Sequence, residues 1–212
     1  MSIADLRREY TTRGLHEQDL DPSPFIQFGK WFQEALSAEL IDPNAMTLAT
    51  SSREGKPSAR IVLLKDFDQR GFVFYSNYES RKGLELESNP YGAILFFWAE
   101  VERQVIINGK VSRLSRKESE EYFHTRPVGS QIGAWASRQS QVISGPEVLE
   151  SRVKELKRKY RGKEIPMPSY WGGFLLDPST FEFWQGRPNR LHDRLRYTLQ
   201  SKGHWQIERL SP

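Results

Sequence analysis

Three clusters of cations stand where a folded chain would ordinarily disperse them, and each suits an anionic oxygen. Ser80-Arg81-Lys82-Gly83 follows a β-rich run and opens a short helical stretch. A helix N-terminus already carries partial positive charge and free N–H groups, so two further cations there call for an anion such as a phosphate. The plain alternative is a solvated surface pair, costing roughly a few tenths of a kcal/mol. Tyr122, Arg126 and Ser130 recur at i, i+4 and i+8 and offer a hydroxyl, a guanidinium and a second hydroxyl to three phosphate oxygens. Pro127 and Gly129 interrupt the helix between them, so the three need not share one strict face. The third cluster is Trp184 with Arg190-Leu191-His192-Asp193-Arg194. If residues 190 to 194 are extended, period two puts Arg190, His192 and Arg194 on one face. In the preceding strand Phe181 and Phe183 take one face and Glu182 and Trp184 the other. That leaves an indole on the polar side, fit to edge a flat ligand or to pack across a subunit contact. His192 is the best placed of the four histidines, at 16, 124, 192 and 204, although a lone histidine is more often structural. Two anion sites beside exposed aromatics suggest two phosphorylated, planar molecules side by side, a cofactor meeting a substrate.

Other chemistries lose ground. The chain has no Gly-x-Gly-x-x-Gly, Walker loop, His-Glu-x-x-His or Gly-x-Ser-x-Gly motif. With no cysteine there is no disulfide, thiolate nucleophile or cysteine-held cluster, and no metal site is expected. A net charge of +4 and a pI near 9.3 favour anionic partners. The lysines and arginines mix with 27 acids, which does not favour a nucleic-acid binder. The longest apolar stretch, Ala93 to Ala99, is far short of the roughly 20 residues that span a bilayer. Met1-Ser2-Ile3-Ala4-Asp5 leads into charge rather than a signal sequence, so the expectation is a cytoplasmic protein.

The elements that must position these clusters fit one α+β domain in 212 residues. Residues 1–22 are polar and end in Asp21-Pro22-Ser23-Pro24, an arm ahead of a single domain over 23–212. Phe25, Phe28, Phe32, Ala35, Leu36 and Leu40 predict an amphipathic helix from about Pro24 to Leu40. Strands are predicted at Ala45–Ser51, Ser58–Lys65, Phe72–Asn77, Ala93–Val101 and Gln104–Leu114, joined by connections mostly too short for parallel crossovers. Asn108-Gly109 fits either a hairpin turn or a bulge. Ser115 with Glu118 and Ser144 with Glu147 read as capping boxes. The second opens a helix to about Tyr160, with Leu149, Val153, Leu156 and Tyr160 as its buried stripe. Arg152, Lys154, Lys157, Arg158 and Lys159 form its solvated face. Strands return at Gly172–Leu176, Thr180–Gln185, Leu195–Gln200 and His204–Leu210, giving a fold built on an antiparallel barrel.

Several motifs in register carry a resemblance. Arg60-Ile61-Val62-Leu63-Leu64-Lys65, Phe74-Tyr75-Ser76-Asn77, Ser80-Arg81-Lys82, Glu102-Arg103-Gln104-Val105, Ser130-Gln131-Ile132-Gly133-Ala134-Trp135, Phe183-Trp184-Gln185-Gly186 and Arg190-Leu191-His192-Asp193-Arg194 resemble the pyridoxamine/pyridoxine 5′-phosphate oxidases. The likeness runs from Arg7-Arg8-Glu9-Tyr10 to Arg209-Leu210-Ser211-Pro212. It implies a split β-barrel with surrounding helices, working as a homodimer with FMN at the subunit interface. By the family pattern Arg60, Ile61, Val62, Leu63, Leu64, Lys65, Tyr75, Ser76, Arg81, Lys82, Gln104, Gln139, Ser140, Trp184 and Arg194 would contact FMN, with Arg81 and Lys82 on its phosphate. Lys65, Tyr122, Arg126, Ser130, Arg190 and His192 would hold the substrate, and Arg7 and Tyr10 would close over it as a lid. Ser76 stands where the family commonly has threonine, which keeps the hydroxyl. Strand parity sends Arg60 and Lys65 to opposite faces, so a bulge, backbone contacts or a partner subunit must reconcile them.

The implied reaction converts pyridoxine or pyridoxamine 5′-phosphate to pyridoxal 5′-phosphate, the last step of making or salvaging the B6 cofactor. Hydride passes from the 4′ carbon to flavin N5; dioxygen then reoxidises the flavin and hydrogen peroxide is released, with ammonia from the amine. Positioning of this kind supplies about 7 to 11 kcal/mol of barrier reduction. Arg190 and His192 would be the catalytic pair, covering the ring face away from flavin. His192 is a candidate base, and loss of the substrate proton late, or to water, is equally compatible. A non-catalytic flavin or B6-phosphate binder on the same barrel is the competing class, against which the intact Arg190-Leu191-His192 row argues.

Overall fold

The computed structural model describes residues 2–3, 9–10 and 14–212, and Arg7 lies outside them. Short β-branched and aromatic runs form nine strands among the described residues: β1 (Ala45–Ser51), β2 (Pro57–Leu63), β3 (Asp66–Asp68), β4 (Gly71–Asn77), β5 (Tyr91–Trp98), β6 (Arg103–Arg113), β7 (Trp171–Gln185), β8 (Asp193–Leu199) and β9 (Trp205–Leu210). Five α-helices cover them: α1 (Pro24–Ser37), α2 (Arg81–Ser88), α3 (Arg116–Thr125), α4 (Val128–Ala136) and α5 (Pro146–Lys159). Every strand pairing is antiparallel, in the order β2-β1-β5-β6-β7-β4-β3, with β8 and β9 continuing from β7.

The sheet forks along β7. One edge pairs with β6; on the other, Trp171 to Leu176 pair with β4 and Thr180 to Gln185 with β8. The two strands predicted over 172–185 are therefore one, bent at Asp177-Pro178-Ser179. Buried side chains change phase across the bend, Phe174 and Leu176 before it and Phe181 and Phe183 after it. The register shifts between Asn108 (opposite Thr180) and Gly109 (opposite Pro178), leaving Ser179 as the extra residue, so the dipeptide runs through one long strand opposite a bulge and is not a hairpin turn. A Cβ on Gly109 would lie 2.1 Å from the Asp177 carbonyl oxygen, which is why the position is glycine.

The curled sheet encloses an aromatic core plugged by α1. Phe28 packs edge-on to Phe72 at 4.9 Å, Phe25 to Phe181 at 5.3 Å and Trp31 to Phe183 at 5.1 Å. Leu36 is exposed, and α1 ends at Ser37, short of the predicted Leu40, which still packs against the core. A smaller cluster of Phe123, Ile132, Ile165, Met167 and Trp171 sits beneath α3, α4 and α5.

The Ser115–Glu118 capping box forms in both directions. At the second site Gly145 is the N-cap and no side chain caps, so Ser144 does not start α5. No residue of α5 is fully buried; Val153, Leu156 and Tyr160 are half-buried on the smaller cluster. Arg152 is not purely solvated, since its Nη1 donates to the Ala136 carbonyl at 3.3 Å and ties α5 to the end of α4. The strand predicted over Ala93–Val101 turns into a 3-10 segment at Ala99–Val101, and the three-residue β3 had no sequence signal. No helix among the described residues is long and apolar enough to cross a membrane.

Candidate active site

One cavity of about 980 Å³ opens between β2, β4 and the α2 N-terminus on one side and α3 and α4 on the other. Arg60, Ile61, Val62, Leu63, Lys65, Tyr75, Ser76, Arg81, Lys82, Tyr122, Arg126, Ser130, Gln139 and Ser140, all singled out in the sequence, line it. The parity conflict between Arg60 and Lys65 is settled by the end of β2 at Leu63. The Leu64 N–H bonds the Asn44 carbonyl at 2.9 Å, and its side chain turns into the barrel core. The Lys65 N–H then bonds the Val73 carbonyl at 2.9 Å, which returns the lysine to the cavity.

The α2 end of the cavity is a cradle of cations. Ser80 caps α2, its Oγ accepting from the Gly83 N–H. Lys82 is buried rather than solvated, and its Nζ donates to Ser76 Oγ at 3.2 Å and to Gln139 Oε1 at 3.0 Å. Burial, then the nearby Arg60 charge, pulls the Lys82 ammonium down to about 8. The Arg81 N–H reaches Ser140 Oγ at 3.2 Å, and Ser140 holds a left-handed φ of 72° to present it.

Glu85, unmarked in the sequence, underlies the cradle. Its carboxylate accepts from Arg81 Nε at 2.9 Å, from Thr50 and Ser58 hydroxyls, and from Arg60 Nη2 at 3.4 Å. Burial works to raise its pKa, but these donors hold the carboxyl at about 2. Arg60 is fixed further by the Leu48 carbonyl at 3.1 Å and Thr50 Oγ1 at 2.6 Å.

The opposite wall is aromatic. Tyr75 and Tyr122 stack at 3.8 Å between centroids, and Trp171 lies parallel to Tyr75 at 5.5 Å. Burial first, then Tyr122, raises the Tyr75 hydroxyl to about 12, so it stays protonated. Arg126 is the C-cap of α3 and Pro127 the N-cap of α4, the helix break that Pro127 dictates. Arg126 Nη1 is buried with no acceptor among the described residues, an orphan donor at the edge of a polar cavity. Trp171, which completes this wall, was missed in the sequence because it opens a strand with no charged neighbour to mark it.

The remaining predicted residues form a second group that does not line this cavity. Gln104, Trp184 and Arg194 are cross-strand neighbours on β6, β7 and β8. Arg194 forks onto Glu182 at 2.7 and 3.1 Å. His192 lies 4.7 Å from the Trp184 ring, and Tyr10 meets both edge-on at 5.4 and 5.5 Å. The extended row proposed for residues 190–194 does not exist. Pro188–Arg190 is a 3-10 turn, Asn189 and Arg190 take φ of 58° and 59°, and β8 begins at Asp193. Arg190 is exposed at the tip of this strained turn, a conformation that clusters at functional sites.

The comparisons with known proteins agree with this geometry. Residues 32–160 match the family model for pyridoxamine 5′-phosphate oxidase, and residues 171–212 match that for the pyridoxine 5′-phosphate oxidase C-terminal dimerisation region. A pyridoxine/pyridoxamine 5′-phosphate oxidase from a Nostoc species is 58% identical over 211 residues, covering 100% of this chain and 99% of that protein. One from Bordetella pertussis is 57% identical over 212 residues, covering 100% of both. The crystal structure of PhzG from Burkholderia lata, in complex with tetrahydrophenazine-1-carboxylic acid, superposes with a TM-score of 0.89 at 29% identity, covering 97% of this chain and 100% of that one. A pyridoxamine 5′-phosphate oxidase-related, FMN-binding protein from Nostoc punctiforme shares the fold with a TM-score of 0.71 at 15% identity. With a split-barrel fold, a polycationic cavity and relatives matched end to end, the chain belongs to the pyridoxamine 5′-phosphate oxidase family.

Proposed function

We propose that the protein is an FMN-dependent oxidase that converts pyridoxine and pyridoxamine 5′-phosphates to pyridoxal 5′-phosphate. Dioxygen is the electron acceptor; peroxide is released, with ammonia from the amine. The observation that carries this assignment is one cavity lined by five cations, Arg60, Lys65, Arg81, Lys82 and Arg126. Arg60 and Arg81 share Glu85 at the α2 N-terminus with Lys82 in the first turn, Arg126 lies over Trp171 on the aromatic wall, and Lys65, Tyr122 and Ser130 line the same cavity. Two phosphomonoesters fit that pattern; one unphosphorylated ligand leaves half of it unused.

The residues fit FMN. Arg81, Lys82 and Arg60 offer charge to its phosphate, with Ser76, Gln139 and Ser140 as polar neighbours. Backbone and apolar atoms from Ile61 to Leu63 offer a flat edge to a ring system. When bound, the flavin supplies a hydride acceptor and reactivity toward dioxygen. Lys65, Tyr122, Arg126 and Ser130 grip the non-reacting phosphate end of the substrate, and the orphan Arg126 Nη1 is the donor waiting for that anion.

Gln104, Trp184, Arg190, His192 and Arg194 lie apart from this cavity in one chain, so a homodimer is required to bring one copy's group to the other's cavity. The match of residues 171–212 to a dimerisation region supports this. So do exposed apolar side chains beside the cavity and on β5, with Ile61 at 66%, Leu63 at 41% and Phe97 at 56%. Arg190 and His192 would then cover the substrate ring, with Tyr10 as part of the lid. The test is turnover of pyridoxine 5′-phosphate by FMN-loaded protein with peroxide detection; no turnover by protein that retains FMN would leave a binding protein instead.

A further inference from the structure

We propose that Asp193 is a positioning residue that, through the Arg187 segment, fixes His192 as the Nε2–H tautomer, so that His192 meets the substrate as a hydrogen-bond donor and not as a base. The backbone N–H of Arg187 donates to His192 Nδ1 at 3.1 Å. A backbone amide has no acceptor form, so the nitrogen it points at must carry a lone pair. In the neutral ring the proton then sits on Nε2, and the nitrogen able to take a proton is already occupied. Burial and the neighbouring Arg190 also hold the imidazole below its ordinary pKa.

The segment that supplies this amide is anchored by Asp193. That carboxylate is buried and accepts only from donors: the Leu15 N–H at 2.9 Å, Arg209 Nη1 at 2.6 Å, and Arg187 Nη1 at 3.4 Å to each oxygen. One side chain thereby joins the end of the arm, the turn before His192 and strand β9. The packing leaves no slack: a Cβ on Gly14 would lie 2.9 Å from Asp193 Oδ2, and one on Gly186 would lie 2.6 Å from the Tyr10 ring. Tyr10 and Trp184, themselves in edge contact at 5.5 Å, both pack against the imidazole.

The test has one arm independent of activity and one that rests on the oxidase assignment. In the first, long-range ¹H–¹⁵N spectra of the FMN-loaded protein at neutral pH are expected to show His192 with a bare Nδ1 and a protonated Nε2. Asp193→Asn, which turns an amide NH₂ toward a donor, is expected to replace this single form by exchanging tautomers. Arg187→Ala is the second variant, keeping the backbone N–H while releasing the segment. A protonated Nδ1 in the wild type, or an unchanged spectrum in both variants, overturns the proposal. In the second arm, His192→Gln places an amide NH₂ near the Nε2 position. It is expected to recover most of the roughly 10- to 100-fold loss in kcat/KM of His192→Ala. A glutamine variant as poor as the alanine variant overturns the donor role, because a lost base would give that result. Inactive wild-type protein with the expected spectrum would count against the oxidase assignment and not against the tautomer.

Discussion

The guanidinium of Arg126 lies over the indole of Trp171, its central carbon 4.5 Å from the ring centroid, while Nη1 is buried with no acceptor among the described residues. Stacking fixes the plane and leaves the donor aimed for use, a preorganised half of a charge-assisted bond. Arg126→Ala is expected to raise KM for pyridoxine 5′-phosphate by about 10- to 100-fold, the range for losing a bond to a charged group. Arg126→Lys should recover only part, since an ammonium cannot stack as a plane. Steady-state kinetics check both, and an unchanged KM in the alanine variant would remove Arg126 from the phosphate site.

Arg81→Ala with Lys82→Ala should weaken FMN retention while leaving riboflavin binding nearly unchanged, because both cations are assigned to the phosphate. Fluorescence titration with each flavin separates the two effects. A double variant that stays fully yellow through dialysis contradicts the assignment.

Lys82 gives that cradle a pH dependence with a definite sign. Its ammonium is held at about 8, below the ordinary 10.5, so the free protein loses this charge as pH rises through 8. FMN affinity is expected to fall above that pH, with proton uptake on binding. The folding contribution runs the other way: between 8 and 10.5 the unfolded chain binds more protons, so stability of the flavin-free protein from this group rises with pH. Titrations in two buffers of different ionisation enthalpy measure the uptake, and Lys82→Met should abolish it.

Arg190→Ala should cripple turnover while leaving FMN bound, since Arg190 is expected to cover the substrate ring and not to hold the flavin. Wild-type kcat in this variant would refute that role. Gly109→Ala serves as a purely structural control. With a Cβ only 2.1 Å from the Asp177 carbonyl, the bulge must open, and a loss of roughly 3 kcal/mol is expected from chemical denaturation.

Much of the cavity was legible in the sequence because charge in unfavourable places needs a reason. Arg81 and Lys82 at a helix start, and Arg126 before Pro127, all line it. The strands were legible through short runs of β-branched and aromatic residues, Ala45–Ser51 to the residue. Properties set by three dimensions were not. The burial of Lys82 is not visible until α2 packs it against Ser76 and Gln139. Glu85 reads as an ordinary helical acid until Thr50, Ser58 and Arg60 converge on it from strands 25 to 35 residues away. The row at 190–194 failed because Asn189 and Arg190 adopt a left-handed turn that no local residue demands.

The central claim is that this cavity holds a flavin and a B6 phosphate close enough for hydride to pass between them. Its most direct test is the visible spectrum of FMN-loaded protein before and after anaerobic addition of pyridoxine 5′-phosphate. Bleaching of the oxidised flavin band, restored by air with release of peroxide, is the expected result. An oxidised spectrum that persists with saturating substrate bound would contradict the account.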